Sequence, residues 1–229
     1  MFDPHALGPL DPAAARKVRF WDRIARRYAA DPIADLAGYE HTLKRVQELL
    51  QPTDKVLELG CGTGSTALRL ATFTQSLLAT DLSAEMIAIA QEKFAVQPMS
   101  NLRFAQADAD DPGLGGETHD VVLAFNLLHL LGDLDTALVG VMQALRPGGL
   151  FISKTPCVGE MNPLITRLAL PLARAVGKAP DVRCFTGEQL LTAIERQGLI
   201  PMAVERHGTP GKKDIRAFIV ARKPQSMRG

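Results

Sequence analysis

The sequence predicts an α/β fold built on a mainly parallel sheet with helices on both faces. Three observations carry this. From Lys55 onward, short apolar runs alternate with stretches of helical period. The run 120–125 is almost wholly apolar, as expected of a strand covered on both faces. The last two strand-like runs are joined through Gly208-Thr209-Pro210-Gly211, which reads as an antiparallel hairpin closing one sheet edge.

The elements follow in order. Residues 1–12 hold three prolines and read as a loose arm. Residues 13–30 form a helix, with Phe20, Trp21, Ile24 and Tyr28 at helical spacing, ended by Asp31-Pro32. A second helix covers 38–50 and stops before Pro52. Strands follow at 55–59, 76–80, 102–107, 120–125 and 150–153, with helices at 64–73, after Ser83, and at 133–145. Ser83 is placed to cap its helix, and Glu85 lies in the first turn, where the helix dipole favours an acid. Arg146-Pro147-Gly148-Gly149 is a turn. Residues 155–183 are long for a strand–helix connection and rich in Leu, Ala and Pro, the character of a lid over an apolar ligand or of a packing surface. Thr186 and Gln189 fit a capping box. Strands at 202–207 and 215–221 complete the chain.

Composition narrows the function classes. Of the 229 residues, 46% are hydrophobic, enough for a sizeable core. Lys plus Arg number 26 against 25 Asp plus Glu, which gives no global attraction to nucleic acid or anionic membrane. The N-terminus lacks the pattern of a signal peptide, and no run approaches the ~20 apolar residues of a membrane span. Cys61, Cys157 and Cys184 are too widely spaced for a disulfide framework or a structural zinc site. A cytoplasmic protein without a metal is expected.

The chemistry concentrates at strand ends. Glu58-Leu59-Gly60-Cys61-Gly62-Thr63-Gly64 follows a strand and opens a helix. Glycines there let the backbone adopt positive φ and approach a ligand closely. Ser65 stands where a dinucleotide fingerprint has its third glycine, which disfavours NAD or FAD. Glu58 sits where it can meet a cationic amino group. Asp81, about 20 residues past the turn, is placed to accept ribose hydroxyls, with Leu82 beside it. Asp108 and Ala109, after the third strand, suit an adenine; Asp110 and Asp111 follow so closely that this assignment can slip. Asn126 ends the fourth strand, where its backbone borders the ligand crevice. His129 follows, either as a base or as an ordering residue at a helix start.

Together these elements resemble the class I S-adenosylmethionine (SAM)-dependent methyltransferases from Lys55 to about Ser153. Phe20-Trp21-Asp22-Arg23-Ile24-Ala25-Arg26-Arg27-Tyr28 resembles the opening of the small-molecule members related to ubiquinone and menaquinone biosynthesis. The resemblance implies a Rossmann-like, doubly wound sheet of order 3-2-1-4-5-7-6 with its last strand antiparallel. It implies a helical cap over residues 1–50 and a SAM-binding domain over 51–229. SAM would cross the ends of strands one, two and four, with Tyr28 near its carboxylate and S-adenosylhomocysteine (SAH) as product.

The activity so implied is in-line methyl transfer to a small, hydrophobic or amphipathic acceptor. Positioning does most of the work, and a base is needed only if the acceptor must lose a proton. His129 and Tyr28 are the candidates for that role, with His41, Lys154 and His207 behind them. Trp21, His41, Lys154 and Phe185 are the candidates for facing the acceptor. The arginines of 16–27 read as a solvated helix face, so no nucleic acid partner is expected, and the chain is expected to be a monomer or homodimer. Two other readings stay open: a SAM- or SAH-binding regulator without turnover, and a nicotinamide-dependent oxidoreductase, which Ser65 weakens.

Overall fold

Seven strands form one sheet in the order β3-β2-β1-β4-β5-β7-β6 in a computed structural model that describes residues 12–109, 119–160, 172, 179–208 and 216–225. The strands are β1 (Lys55–Leu59), β2 (Ser76–Asp81), β3 (Leu102–Gln106), β4 (His119–Phe125), β5 (Leu145–Pro156), β6 (Ile200–Arg206) and β7 (Arg216–Arg222). The helices are α1 (Pro12–Ala30), α2 (Leu36–Leu49), α3 (Ser65–Leu70), α4 (Ala84–Val96), α5 (Leu134–Ala144) and α6 (Gly187–Arg196). β1 to β5 pair in parallel, and β7 runs antiparallel between β5 and β6. The expected topology is therefore the observed one. Because β1 to β5 are parallel, their carboxyl ends gather at one edge, where such sheets hold ligands.

Strand alternation assigns the two faces. Leu57, Leu59, Val122, Ala124 and Phe151 pack with Leu138 and Val141 of α5 and Leu190 and Ile194 of α6. Val56, Val121, Leu123, Ile152 and Phe218 pack with Leu43 and Val46 of α2 and Ala67 and Leu70 of α3. Helix α1 lies outside both cores. Its Trp21, Ala25 and Ala29 form a separate small cluster with Met86 and Ile89 of α4.

Local signals explain most boundaries. The Ser83 hydroxyl accepts the Met86 N–H, and the capping box of Thr186 and Gln189 is complete. Helix α2 begins two residues earlier than its apolar period suggests, because Asp35 caps it by accepting the Gly38 N–H at 3.1 Å. The helix read at 64–73 divides into α3 and a 3₁₀ turn, Ala71–Phe73. The largest difference is β5. The sequence suggests a turn at 146–149 and a strand only to 153, but β5 spans both and runs to Pro156. Its extension pairs with β7, a tertiary partner that no local pattern announces: Lys154 lies opposite Phe218 and Pro156 opposite Arg216. The glycine turn survives as an irregularity, with Gly148 at φ +79 and the pairing register shifting along β4.

Asp110, Asp111, Ile215, the arm at 1–11 and most of the insertion at 155–183 lie outside the described residues. Among the described residues no helix is long and apolar enough to cross a membrane.

Candidate cofactor and acceptor site

The turn after β1 is set by three left-handed glycines, Gly60 at φ +66, Gly62 at +53 and Gly64 at +74. Two of them are tightly enclosed. A Cβ on Gly60 would come within 2.7 Å of Leu127, and one on Gly64 within 2.8 Å of both Ala90 and Phe104. Gly62 differs: a Cβ there would meet nothing within 4 Å. Its surface therefore faces open space, as a backbone kept bare for a ligand should. The Cys61 N–H donates to the Thr80 carbonyl at 2.8 Å and fixes the turn to the end of β2. The Cys61 thiol is buried and its pKa is pushed well above the ordinary value, by burial first and then by Glu58 and Asp81. It serves the turn as a small inert side chain. Lys93 of α4 donates to Thr63 Oγ1 at 2.8 Å and to Ser65 Oγ at 2.9 Å, bracing the far side of the loop.

Two carboxylates border this turn. Asp81, at the end of β2, accepts the Gly62 N–H and the Ser83 N–H, each at 2.9 Å. Burial raises its pKa, and these backbone donors oppose the rise. Glu58 is buried and its Oε2 has no hydrogen-bond partner among the described residues. Burial, with Asp81 adding to it, pushes its pKa up to about 8. A buried carboxyl with an orphaned oxygen is costly unless a cation or donor reaches it. The amino group of an amino-acid-like ligand would supply such a partner. The open face of Gly62, the orphaned oxygen of Glu58 and the carboxylate of Asp81 thus fit the ligand the sequence suggests.

Helix α1 closes over this region through a residue the sequence reading passed over. Asp22 Oδ1 accepts the Ser83 hydroxyl at 2.6 Å and the Glu85 N–H at 3.3 Å, so it caps α4 from another helix. Arg26 adds a two-pronged contact to Glu92 at 2.6 and 2.8 Å. Trp21 stands edge-on between Phe20 and Tyr28, with ring centroids 5.3 and 6.3 Å away. The half-exposed Tyr28 has its pKa raised by burial of the hydroxyl, opposed by Arg216 and aided by Asp81. Asp108 is half-buried and Ala109 buried, just past β3.

At the end of β4, Asn126 holds φ +54, the one positive φ among the described non-glycine residues. Such backbone costs of order 1–3 kcal/mol and collects at functional sites. Its N–H donates to the Lys154 carbonyl at 2.7 Å, and its Oδ1 accepts from Arg216 at 3.1 Å. His129 follows in a 3₁₀ turn (Leu128–Leu130). Its Nδ1 is buried without a partner among the described residues. Burial, then the Arg216 charge, lowers its pKa to about 4. It is neutral at pH 7 and only a weak base.

Three of the proposed acceptor residues lie elsewhere. Lys154 occupies the even-numbered face of β5, and its ammonium is buried beneath α2, donating to Thr42 Oγ1 at 2.7 Å and to the Gly38 carbonyl at 3.1 Å. His207 Nδ1 lies 3.1 Å from the same Thr42 hydroxyl and its Nε2 lies 3.0 Å from Glu205. Exposed His41 stacks edge-on against His207 at 4.5 Å. This network latches α2 to the sheet. Phe185 is buried in the core shared with Cys157, Leu190 and Ala217. Alternation along β5 explains Lys154; nothing in the sequence signals Phe185's burial, nor the tertiary roles of Asp22, Lys93 and Arg216.

The fold, the left-handed glycine turn and the two acidic strand ends resemble those of the class I SAM-dependent methyltransferases. Residues 56–149 match the family model described as Methyltransferase domain (Methyltransf_25). Among curated proteins, the chain is 30% identical over 162 residues to the hybrid PKS-NRPS synthetase lepA of Aspergillus flavus, covering 63% of this chain and 4% of the synthetase. It is 27% identical over 162 residues to the O-methyltransferase cnsE of Penicillium expansum, covering 66% of this chain and 56% of that one. The chain thus spans a few percent to about half of the length of such relatives. Among solved structures, Haemonchus contortus phosphoethanolamine N-methyltransferase 2, in complex with phosphomonomethylethanolamine and SAH, shares the fold. Its TM-score is 0.74 at 18% identity, covering 95% of this chain and 62% of that one.

Proposed function

We propose that the chain transfers a methyl group from SAM to a small acceptor by in-line displacement. The observation that carries this is the buried, unpartnered Oε2 of Glu58 beside the open face of Gly62. A dinucleotide site has no use for an unpaired buried acid at that point, whereas SAM brings an ammonium to it. The sulfonium of bound SAM supplies an already activated methyl group. The protein's own residues then bind and orient. Glu58 takes the amino group, Asp81 the ribose hydroxyls and Asp108, with Ala109, the adenine. The Asn126 backbone borders the methionyl chain, and Tyr28 on the capping helix meets its carboxylate.

The neutral, weakly basic His129 supports a mechanism in which alignment dominates and no base is indispensable. The polyketide and O-methyltransferase relatives support a small organic acceptor. The test is turnover. Purified protein with SAM and fractionated cell extract should release SAH. Tight SAH binding with no release in any fraction would instead identify a binding module. Displacement of SAH by NADH would point to an oxidoreductase.

A further inference from the structure

We propose that His207 is an acid-operated catch on helix α2: when its ring gains a second proton, the hydrogen bonds joining α2 to β5 and β6 are rewired and the helix loosens. The catch works in the ligand-free protein, so it is independent of the methyltransferase reading.

The parts come from segments far apart in the chain. Helix α2 carries Gly38, His41, Thr42 and Arg45, successive turns of one helical face. Strand β5 brings Lys154, β6 brings Glu205 and β7 brings Phe218. His207 lies just past β6 and is buried. Its ring stacks on Phe218, with centroids 4.1 Å apart and planes at 10°, and meets His41 edge-on at 4.5 Å. Its backbone N–H donates to the Arg216 carbonyl at 3.1 Å. The ring is thus held in place, and both nitrogens have a polar neighbour. Thr42 Oγ1 lies 3.1 Å from Nδ1, and Glu205 Oε2 lies 3.0 Å from Nε2.

A proton count sets the wiring. The pKa of Glu205 is lowered: burial opposes ionisation, but the hydrogen bonds from His207 and Arg45 outweigh it. A carboxylate only accepts, so Nε2 must carry a proton. Neutral imidazole has a single ring proton, which leaves Nδ1 to accept the Thr42 hydroxyl. Lys154 donates to the oxygen of that hydroxyl at 2.7 Å and to the Gly38 carbonyl at 3.1 Å. Donors and acceptors match throughout. A second ring proton turns Nδ1 into a donor. The Thr42 hydroxyl must then swing to its other acceptor, the Gly38 carbonyl at 2.7 Å. Its oxygen now faces two cations, the imidazolium and the Lys154 ammonium, all three groups being buried. Like charges so close and away from water repel strongly.

The surrounding charges decide when this happens. Among the described residues, burial is the largest influence and disfavours the imidazolium. Glu205, itself tied to Arg45 at 2.9 Å, favours it, and His41 and Lys154 disfavour it. The balance holds the pKa of His207 below its ordinary 6.5. A histidine with a lowered folded pKa gives stability that is lost as pH falls from 6.5 through the folded value. That loss falls on α2, since Thr42 and His41 are its contacts with the ring.

Histidine-selective NMR of the ligand-free protein reads the wiring, with the His207 signals assigned through ring contacts to Phe218. The Nε2–H tautomer is expected at pH 7.5, with a titration midpoint below 6.5. Hydrogen exchange reads the helix. Protection factors of α2 amides should fall about fivefold or more between pH 7.5 and 5, with no fall of that size in β4. In His207→Gln the α2 change should shrink to within about twofold. An Nδ1–H tautomer at pH 7.5, or a midpoint at or above 6.5, overturns the proposal. So does α2 protection that holds steady with pH, an equal fall in β4, or an undiminished fall in His207→Gln. If that variant does not fold, the wild-type tautomer, midpoint and exchange decide alone.

Discussion

Replacing Glu58 by Gln removes a charge and keeps its shape, so it isolates what the buried acid does. In the ligand-free protein Glu58 titrates near about 8 instead of 4.5, because burial and then Asp81 disfavour its charge. A carboxyl whose folded pKa exceeds its unfolded value makes the folded state hold the extra proton between those two values. Stability therefore falls as pH rises from about 4.5 to about 8. At about 1.4 kcal/mol per unit, the penalty is about 3 kcal/mol at pH 7 and about 5 kcal/mol above pH 8. Both are upper bounds, since water entering the site solvates the charge. Urea unfolding should give equal stabilities for wild type and Glu58→Gln near pH 4. The variant should pull ahead by up to these amounts toward pH 9.

Ligand binding should run the other way. An ammonium reaching the orphaned oxygen drives Glu58 to ionise, so at pH 7 about nine tenths of a proton leaves per SAH bound. Calorimetry in buffers of different ionisation enthalpy reads this number directly. Glu58→Gln should release none and should bind SAH roughly 10- to 100-fold more weakly, the worth of one charged hydrogen bond. Stability curves that stay parallel over pH, together with heats that ignore the buffer, would refute the reasoning.

The glycines separate by the same logic. Gly62→Ala should cost about 1–2 kcal/mol of stability from its left-handed backbone alone but should sharply weaken SAH binding. Gly64→Ala adds a clash with Ala90 and Phe104 and should cost a further 1–3 kcal/mol by thermal or urea unfolding. His129 has its pKa lowered to about 4, so it contributes stability that is lost as pH falls from 6.5 toward 4. With acceptor in hand, kcat of His129→Gln should fall less than about a thousandfold, and the wild-type profile should show no limb near 6.5. Thr42→Val strips the shared hydroxyl from Lys154 and His207 and should cost about 1–3 kcal/mol in unfolding experiments, with SAH affinity unchanged.

What the sequence disclosed depended on range. The sheet order, the glycine turn, the Ser83 cap and the capping box at Thr186 are local patterns or follow from family likeness, and all are present. The positions of Glu58, Asp81 and Asn126 at strand ends follow from the alternation of strands and turns. Features made by distant segments were not legible. Asp22 reads as one acid in a basic helix, and only docking on α4 makes it a cap. Arg216 reads as an edge-strand arginine, and only the insertion of β7 beside β5 brings it to Asn126. Lys154, just past the strand read at 150–153, reads as a candidate base or acceptor contact. Its parity on β5 instead turns it under α2, where the latch with Thr42 absorbs it.

The separate packing of α1 has a kinetic consequence. Its apolar contacts form a cluster apart from both cores, and its ties to α4 include Asp22 and exposed pairs from Arg26 to Glu85 and Glu92. Such a unit can undock while the sheet stays intact. Amides of α1 and of the first turn of α4 should then exchange with solvent together, and faster than those of β4. If SAH leaves by that route, its residence time is set by a helix coming away rather than by the strength of its own contacts. Because exposed ion pairs are screened by salt, turnover limited by product release would quicken as ionic strength rises.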